Sequence, residues 1–255
     1  MEKLTFYIVD VFAEEKRNGG YDVRIFTPST EVPFAGHPTL GTAHIIRSEI
    51  ATDAAREVVL NLKVGPIPVT FQEEKNGTIG WMKQMNPEFG RNIDADTIAH
   101  VLGLRRSEID ERFPLEEVST GLPHIIVPLK SLDSLRRAHI DKDKYFDLIK
   151  NTWAKPILIF CPESYQGLND ISCRMFADYC GISEDSATGS GNGCLAAYFS
   201  KHRYWGKNEI NIRSEQGYEI NRPSILYLKA QEINGRIDVY VGGKSITIAK
   251  GSFSE

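Results

Sequence analysis

One short pattern occurs twice in this chain, and this repeat constrains the fold more than any other feature. Arg24-Ile25-Phe26 and Arg174-Met175-Phe176 lie 150 positions apart, and Gly41 and Gly191 keep the same offset. Each β-like run leads through a Gly-rich turn into a helix of small residues. One turn carries a histidine and the other a carboxylate. The repeat predicts two similar halves whose turns face one another and form one site.

The composition is that of an ordinary soluble chain. With 255 residues, 41% of them hydrophobic, the chain can build one large domain or two of ordinary size. The net charge of -4, without a stripe of Lys and Arg, argues against a nucleic-acid partner. There is neither an apolar run of about 20 residues nor a signal peptide. We therefore expect a cytoplasmic protein with no membrane partner.

The order of strands and helices predicts an α/β (α+β) fold in two β-rich halves that meet near residue 115. Residues 1–115 contain the Gly36-His37-Pro38 turn, and residues 116–255 contain the turn at Asp185. Each half has one small-residue helix at its centre. A strand expected at residues 245–249 closes the second half or returns to the first.

The first turn places a histidine at the start of a helix. Gly36 and Pro38 fix the backbone around His37, and a helix start presents free N–H groups and a positive end. Such an end attracts a carboxylate or phosphate, and it favours a neutral imidazole that can accept a proton. Two interpretations stay open. His37 either caps the helix or satisfies buried groups, or it takes part in acid/base chemistry.

The second turn places Asp185 before a Gly-rich run. The following helix is predicted over residues 194–202, so the glycines before it would be free to present N–H groups to an anion. A carboxylate near a helix start is most often a cap. Alternatively, Asp185 forms an acid/base pair with a histidine from the other half.

Three familiar motifs do not match the segment Gly189-Ser190-Gly191-Asn192-Gly193. A dinucleotide-binding loop would need glycine at Cys194, a nucleophile elbow would need glycines at Thr188 and Asn192, and a P-loop would need a terminal Gly-Lys-Ser/Thr. We therefore expect no nucleotide cofactor. All four cysteines lie in the second half and none forms a CxxC pair, which favours free thiols over a metal site.

The two turns, with further segments, make the chain resemble the PhzF-like (phenazine biosynthesis-like) family. The matching segments are residues 9–12, 24–28, 31–43, 119–123, 181–190, 215–217 and 222–224. The resemblance covers most of the chain, and the run that ends at Thr42-Ala43 is its most specific part. The family shares its fold with diaminopimelate epimerase.

The resemblance implies both a fold and an activity. The implied fold has two pseudo-symmetric halves, each a curved, mostly antiparallel sheet around a central helix, with the active site in the cleft between them. The implied activity is that of a cofactor-free isomerase, which shifts a proton and a double bond in trans-2,3-dihydro-3-hydroxyanthranilate or a similar small carboxylate. A homodimer is also implied.

By resemblance, the catalytic residues are His37 and Asp185, and Gly36, Gly189 and Ser190 hold the substrate. The related amino-acid epimerases use one cysteine from each half as acid and base. Residues 1–150 contain no cysteine, so a two-thiol racemase is excluded.

One departure from the family pattern concerns the general base. The family's glutamate stands in an Asn-x-Ser-Glu-Thr-like segment that would fall between Lys16 and Arg17, where this sequence has none. Glu14 and Glu15 do not match that motif. Three explanations are open: a segment is missing from the sequence, the protein is a natural deletion that binds without catalysing, or another group serves as base. We favour the first, because losing a strand and helix would leave sheet edges unpaired.

The leading hypothesis is therefore an isomerase that works by acid/base proton transfer. The alternative is a catalytically silent homologue that binds a small molecule.

Overall fold

A computed structural model describes residues 4–7, 11–17, 20–26, 31–32, 34–51, 55–75 and 77–253. The chain forms two compact units. The first comprises residues 1–83 and 242–255, and the second comprises residues 84–241.

The described residues of the first unit form a larger sheet with one α-helix packed on it and a separate two-stranded sheet. Its elements are β1 (Leu4–Tyr7), β2 (Val11–Arg17), β3 (Gly20–Phe26), β4 (Glu31–Val32), α1 (Gly36–Ile45), β5 (Glu57–Leu62), β6 (Gly65–Glu74) and β7 (Gly77–Lys83), with a π-helical turn over Ile46–Ile50 after α1. The strand order is β2-β3-β5-β6-β7, with β4 pairing β3. Strands β3 and β5 pair in parallel, whereas β2/β3, β5/β6 and β6/β7 are antiparallel.

Alternation along the strands builds the core of the first unit. In β5, Val58, Leu60 and Leu62 are buried while the residues between them are more exposed, because successive side chains of a strand point to opposite faces. Helix α1 lies against β5 and β7. Its Ala43 joins the buried side chains of β3 and β5 in one apolar cluster.

The second unit contains a longer sheet and four helices. Its elements are β8 (Glu88–Asn92), α2 (Ala95–Val101), β9 (Glu116–Ser119), β10 (Pro123–Pro128), α3 (Leu132–Arg137), α4 (Lys142–Ile149), β11 (Ile157–Cys161), β12 (Ile171–Ala177), β13 (Ile182–Asp185), α5 (Gly189–Lys201), β14 (Glu209–Gln216), β15 (Ser224–Ile233) and β16 (Arg236–Gly243). The strand order is β16-β15-β14-β12-β11-β10-β9-β8, with β13 pairing β12. Pairs β10/β11 and β12/β14 are parallel.

The central strands of the second unit are buried on both faces. Ile125 and Ile157 join a cluster with side chains of α2 and α4, whereas Ile126 and Leu158 join a cluster with α5. Strands covered on both faces read as continuous apolar runs, as β10 and β11 do. Every residue of α5 from Gly191 to Ser200 is buried, so this helix is the centre of the unit.

After Gly242 the chain re-enters the first unit, where β17 (Lys250–Phe253) pairs antiparallel with β1. The strand expected at residues 245–249 does not form, and β17 follows directly after it. The last strand therefore lies later in the chain than expected.

The sequence repeat corresponds to a structural repeat. In the first unit, β3 pairs antiparallel with β4, α1 follows, and β3 then pairs in parallel with β5. In the second unit, β12 pairs antiparallel with β13, α5 follows, and β12 then pairs in parallel with β14. Arg24 and Arg174 each hold a glutamate of the neighbouring short strand through two hydrogen bonds, Arg24 to Glu31 and Arg174 to Glu184.

The offset between the copies changes at the turn. Ile25 pairs with Val32 in one copy and Met175 pairs with Asp185 in the other, so the second turn is three residues longer. A 3-10 turn at Asp178–Cys180 lies in this longer connection. The predicted pairing of Gly41 with Gly191 is therefore wrong.

When the two copies are aligned with this difference in turn length, both helices begin five residues after the glutamate that binds the arginine. Helix α1 begins five residues after Glu31, and α5 begins five residues after Glu184. Gly36 then corresponds to Gly189, and His37 corresponds to Ser190.

Two expected boundaries also differ from the structure. The units divide after Lys83 rather than near residue 115, because β8 and α2 belong to the core of the second unit. Helix α5 begins at Gly189 rather than at Cys194. Burial among the strands of the second unit outweighs the low helix propensity of glycine, serine and asparagine.

The α/β fold class with two repeated halves is confirmed. No helix in the described ranges is long and apolar enough to cross a bilayer.

Candidate functional site at the starts of two helices

The two repeated helices begin without side-chain caps. Neither Ala35 before α1 nor Thr188 before α5 makes a side-chain cap bond. The other three helices are capped by side chains that accept from a first-turn N–H, namely those of Asp94, Ser131 and Asp141. Within the part of the chain that the structure describes, no side chain therefore caps the first-turn N–H groups of α1 and α5, and both ends favour an anion.

The start of α1 carries the predicted histidine. His37 is the second residue of α1, and its exposed side chain makes no hydrogen bond within the described part of the chain. Pro38 is buried and lacks an N–H, which suits the first turn of a helix. The Thr39 hydroxyl donates to the Ala35 carbonyl at 2.6 Å. His37 therefore does not act as a cap and is available to a ligand.

The start of α5 carries the predicted aspartate. Asp185 is the last residue of β13 and is half-buried. Its Oδ2 accepts from the Thr188 hydroxyl at 2.6 Å, and its Oδ1 accepts from the Ala187 N–H at 3.5 Å. These bonds fix the carboxylate just before the helix.

The five predicted site residues fall into two groups. Gly36 and His37 begin α1 in the first unit, whereas Gly189 and Ser190 begin α5 in the second unit with Asp185 just before them. The sequence predicts that residues 189–193 form a loop that could bind an anion through its N–H groups. The predicted loop is wrong, because these residues form the first turns of α5. Its N–H groups nevertheless come from the residues that were expected to bind an anion.

Sequence reasoning missed His124, which lies beside the start of α5. Its ring is fully buried, and burial lowers its pKa to about 4, so it is neutral at pH 7. Nδ1 donates to the Leu122 carbonyl at 2.9 Å, which leaves Nε2 as a bare acceptor without a partner in the described part of the chain. An added Cβ on Gly191 would lie 3.2 Å from Nε2. The signal in the sequence was a histidine inside an apolar strand.

The thiol of Cys194 lies in the same buried region. Its Sγ is 3.7 Å from the Thr120 hydroxyl and 3.8 Å from His124 Nδ1. Burial raises its pKa to about 12, so Cys194 is a neutral thiol. A thiol in this state is not a nucleophile. Within the described ranges, no group of three or more His, Cys, Asp or Glu side chains could hold a metal ion.

The fold is shared with solved structures, some of which are described as epimerases. A hydroxyproline epimerase from Agrobacterium vitis has this fold, with a TM-score of 0.61 at 12% identity over 95% of this chain and 73% of that one. A Bacillus anthracis phenazine biosynthesis protein of the PhzF family has a TM-score of 0.86 at 24% identity, covering 96% of this chain and 84% of that chain.

The sequence identifies the family among proteins of this fold. Residues 5–251 match the PhzC-PhzF family, described as phenazine biosynthesis-like protein. A trans-2,3-dihydro-3-hydroxyanthranilate isomerase from Pseudomonas aeruginosa is 33% identical over 92% of this chain and 80% of its own length. An uncharacterized isomerase from Clostridium acetobutylicum is 28% identical over 94% of this chain and 82% of its own length. The chain belongs to the PhzC-PhzF family, whose named relatives here are isomerases.

Proposed function

We propose that this protein is a cofactor-independent isomerase that transfers a proton within a small carboxylate-bearing substrate, of the trans-2,3-dihydro-3-hydroxyanthranilate type. The reaction breaks one C–H bond, moves a carbon–carbon double bond and forms a C–H bond at another carbon. No electrons are gained or lost overall, so the work required of the protein is to bind the acid and to move a proton.

The single observation that carries this proposal is the pair of open helix starts at equivalent places in the repeat. Each offers N–H groups and the positive end of a helix to a carboxylate. One presents the imidazole of His37, which has no hydrogen-bond partner among the described residues, and the other presents the anchored carboxylate of Asp185. An imidazole can donate and accept a proton near neutral pH, and no other side chain does so at its ordinary pKa.

In the proposed mechanism His37 moves the proton. Asp185 orients a donor group of the substrate, and the N–H groups of Gly36, Gly189 and Ser190 hold its carboxylate. A positioned acid/base group contributes roughly 10²–10⁴-fold to a rate.

The direct test is turnover of trans-2,3-dihydro-3-hydroxyanthranilate in D₂O. The wild-type protein should convert it to a product of the same composition and place solvent deuterium at one carbon. His37→Asn and Asp185→Asn should each lower kcat by roughly 10²–10⁴-fold. His44→Asn is the matched control, because His44 lies in the last turn of the same helix. Equal losses in all three variants would contradict the assigned roles.

A second candidate is a homologue that binds the substrate without turning it over. The observation in its favour is that Lys16 and Arg17 are consecutive residues of β2, paired with Tyr21 and Gly20 of β3. The segment expected to bring the family's glutamate has no place in that strand. Calorimetric binding of the substrate without deuterium exchange would establish this candidate. We also propose a homodimer, which analytical ultracentrifugation tests.

A further inference from the structure

The side chain of Gln216 connects the end of β13 to the start of α5. Gln216 is the last residue of β14 and is fully buried. Its Oε1 accepts from the Thr188 N–H at 3.1 Å and from Asn192 Nδ2 at 2.9 Å. Its Nε2 donates to the Asp185 carbonyl at 2.8 Å and to the Thr188 hydroxyl at 3.0 Å. The Cys173 thiol also lies 3.7 Å from Oε1, so both the oxygen and the nitrogen of this amide have at least two partners.

These partners fix which end of the amide is oxygen. The Thr188 N–H can only donate, so it must face Oε1, and the Asp185 carbonyl can only accept, so it must face Nε2. Gln216 Nε2 therefore donates to the Thr188 hydroxyl oxygen. The hydroxyl proton is then left to donate to Asp185 Oδ2, which lies 2.6 Å away.

This direction has two consequences at the helix start. Thr188 is the N-cap residue of α5, and a threonine there ordinarily accepts from an N–H of the first turn. Here its hydroxyl is committed to Asp185 and caps nothing. One amide thus both orients the carboxylate and keeps the first turn of α5 open.

We infer that Gln216 is a positioning residue for the proton transfer: through the Thr188 hydroxyl it aims the Asp185 carboxylate at the substrate and keeps the N–H groups of α5 free for the substrate's carboxylate. This inference rests on the proposed isomerase activity. It adds Gln216 and Thr188 to the functional residues, and neither touches the reacting atoms in this scheme.

The test uses variants that change the hydroxyl or its direction. Thr188→Val removes the hydroxyl at nearly constant volume, whereas Thr188→Ser keeps it. Gln216→Glu cannot donate as a carboxylate, so the Thr188 hydroxyl should turn from Asp185 to residue 216. Thr188→Val and Gln216→Glu should each lower kcat at least about tenfold, because a hydrogen bond to a charged group is lost. Thr188→Ser keeps the hydroxyl, so its kcat should stay near the wild-type value.

KM and a double variant separate positioning from a general loss of structure. In Thr188→Val, as in wild type, no side chain caps the start of α5, so its N–H groups can bind the substrate's carboxylate equally well. The KM of this variant should therefore stay within about threefold of the wild-type value. In the Thr188→Val background, Gln216→Glu should add little further loss of kcat, because both changes break one chain of bonds. Independent, additive losses would overturn the inference.

The matched control is Ser200→Ala at the other end of α5. The Ser200 hydroxyl is buried and donates to the Asn208 carbonyl at 2.6 Å, so its loss removes a comparable helix-side bond. This variant should be less stable but keep its kcat. A loss of kcat in Ser200→Ala equal to that in Thr188→Val would show that stability alone explains both.

A measurement without turnover distinguishes failure of this inference from failure of the proposed activity. The ¹³C chemical shift of the Asp185 carboxyl carbon should move in Thr188→Val and Gln216→Glu and stay in place in Thr188→Ser and Ser200→Ala. An unchanged shift in Thr188→Val would overturn the positioning role. If the shift responds as expected in a protein that turns over no substrate, the isomerase proposal fails while the positioning of Asp185 by Gln216 is supported.

Discussion

The arginine of each repeat allows one interaction to be compared in two environments. Arg174 is 9% exposed and its partner Glu184 is 8% exposed, with a closest approach of 2.8 Å. Nη1 of Arg174 also donates to three carbonyls at the end of α3, those of Leu135, Arg136 and Ala138. Arg24 is 62% exposed and bonds Glu31 at 3.1 Å. The same motif is thus buried in one unit and solvated in the other.

We predict that Arg174→Ala strongly destabilises the protein. It leaves the Glu184 carboxylate buried without a partner, and breaking a buried pair in this way costs about 3–5 kcal/mol. For a chain of this size, that loss lowers Tm by about 6–20 °C. Arg24→Ala should leave Tm close to the wild-type value, because water replaces the lost partner of an exposed pair.

Circular dichroism during thermal and urea unfolding measures both variants. A third variant, Arg174→Met with Glu184→Leu, removes both charges and should recover most of the lost stability, since replacing a buried pair with apolar residues is often neutral. The reasoning is refuted if Arg174→Ala and Arg24→Ala shift Tm equally, or if the double variant is no more stable than Arg174→Ala.

Three further predictions concern single residues of the second unit. Burial lowers the pKa of His124 to about 4, so the unfolded chain takes up a proton between pH 6.5 and 4 that the folded chain does not. Stability should therefore fall as pH drops through that window, by up to about 3 kcal/mol more in wild type than in His124→Gln. Cys180 is the exposed thiol of the four and should alone react with Ellman's reagent in the folded protein. Gly191→Ala places a Cβ 2.8 Å from Leu158 Cδ1 and should cost about 1–3 kcal/mol.

Each of these has a control. Urea unfolding at each pH measures the loss of stability between pH 6.5 and 4. If His124→Gln loses as much stability as wild type in this range, His124 is not its cause. Cys180→Ser should abolish the reaction of the folded protein, and three thiols should then react in denaturant; persistent labelling would mean that a buried thiol is accessible. Gly80→Ala is the control for overpacking, because its added Cβ meets nothing closer than 3.5 Å. Equal destabilisation of Gly80→Ala and Gly191→Ala would contradict the packing argument.

Much of the local structure could be predicted from sequence, since its signals are short-range. Short apolar runs such as those of β10 and β11, together with the turn glycines, predict strands and turns without reference to the rest of the chain. The repeated Arg-x-Phe pattern marked the two strands, β3 and β12, that stand in equivalent places. The resemblance to the family, carried by the turns, identified the fold and the five candidate site residues.

The start of α5 could not be read from sequence. Glycine, serine and asparagine over residues 189–193 disfavour a helix, so the sequence predicts a loop there. It is helical because its residues are enclosed by strands of the second unit, and Gly191 and Gly193 leave room for His124 and Thr120. Small residues are required there by packing rather than by backbone freedom. A sequence pattern does not distinguish these two uses of glycine.

The sequence by itself determined the class of fold, the repeat, the exclusion of a two-thiol racemase and the residues at the two turns. Only the tertiary structure decided that His37 is equivalent to Ser190, because a three-residue difference in turn length becomes visible only when strands are paired. Only the tertiary structure also joined Gln216 to Asp185, residues 31 positions apart. Hydrogen bonds between distant residues depend on how strands and helices pack, and a linear pattern carries no record of that packing.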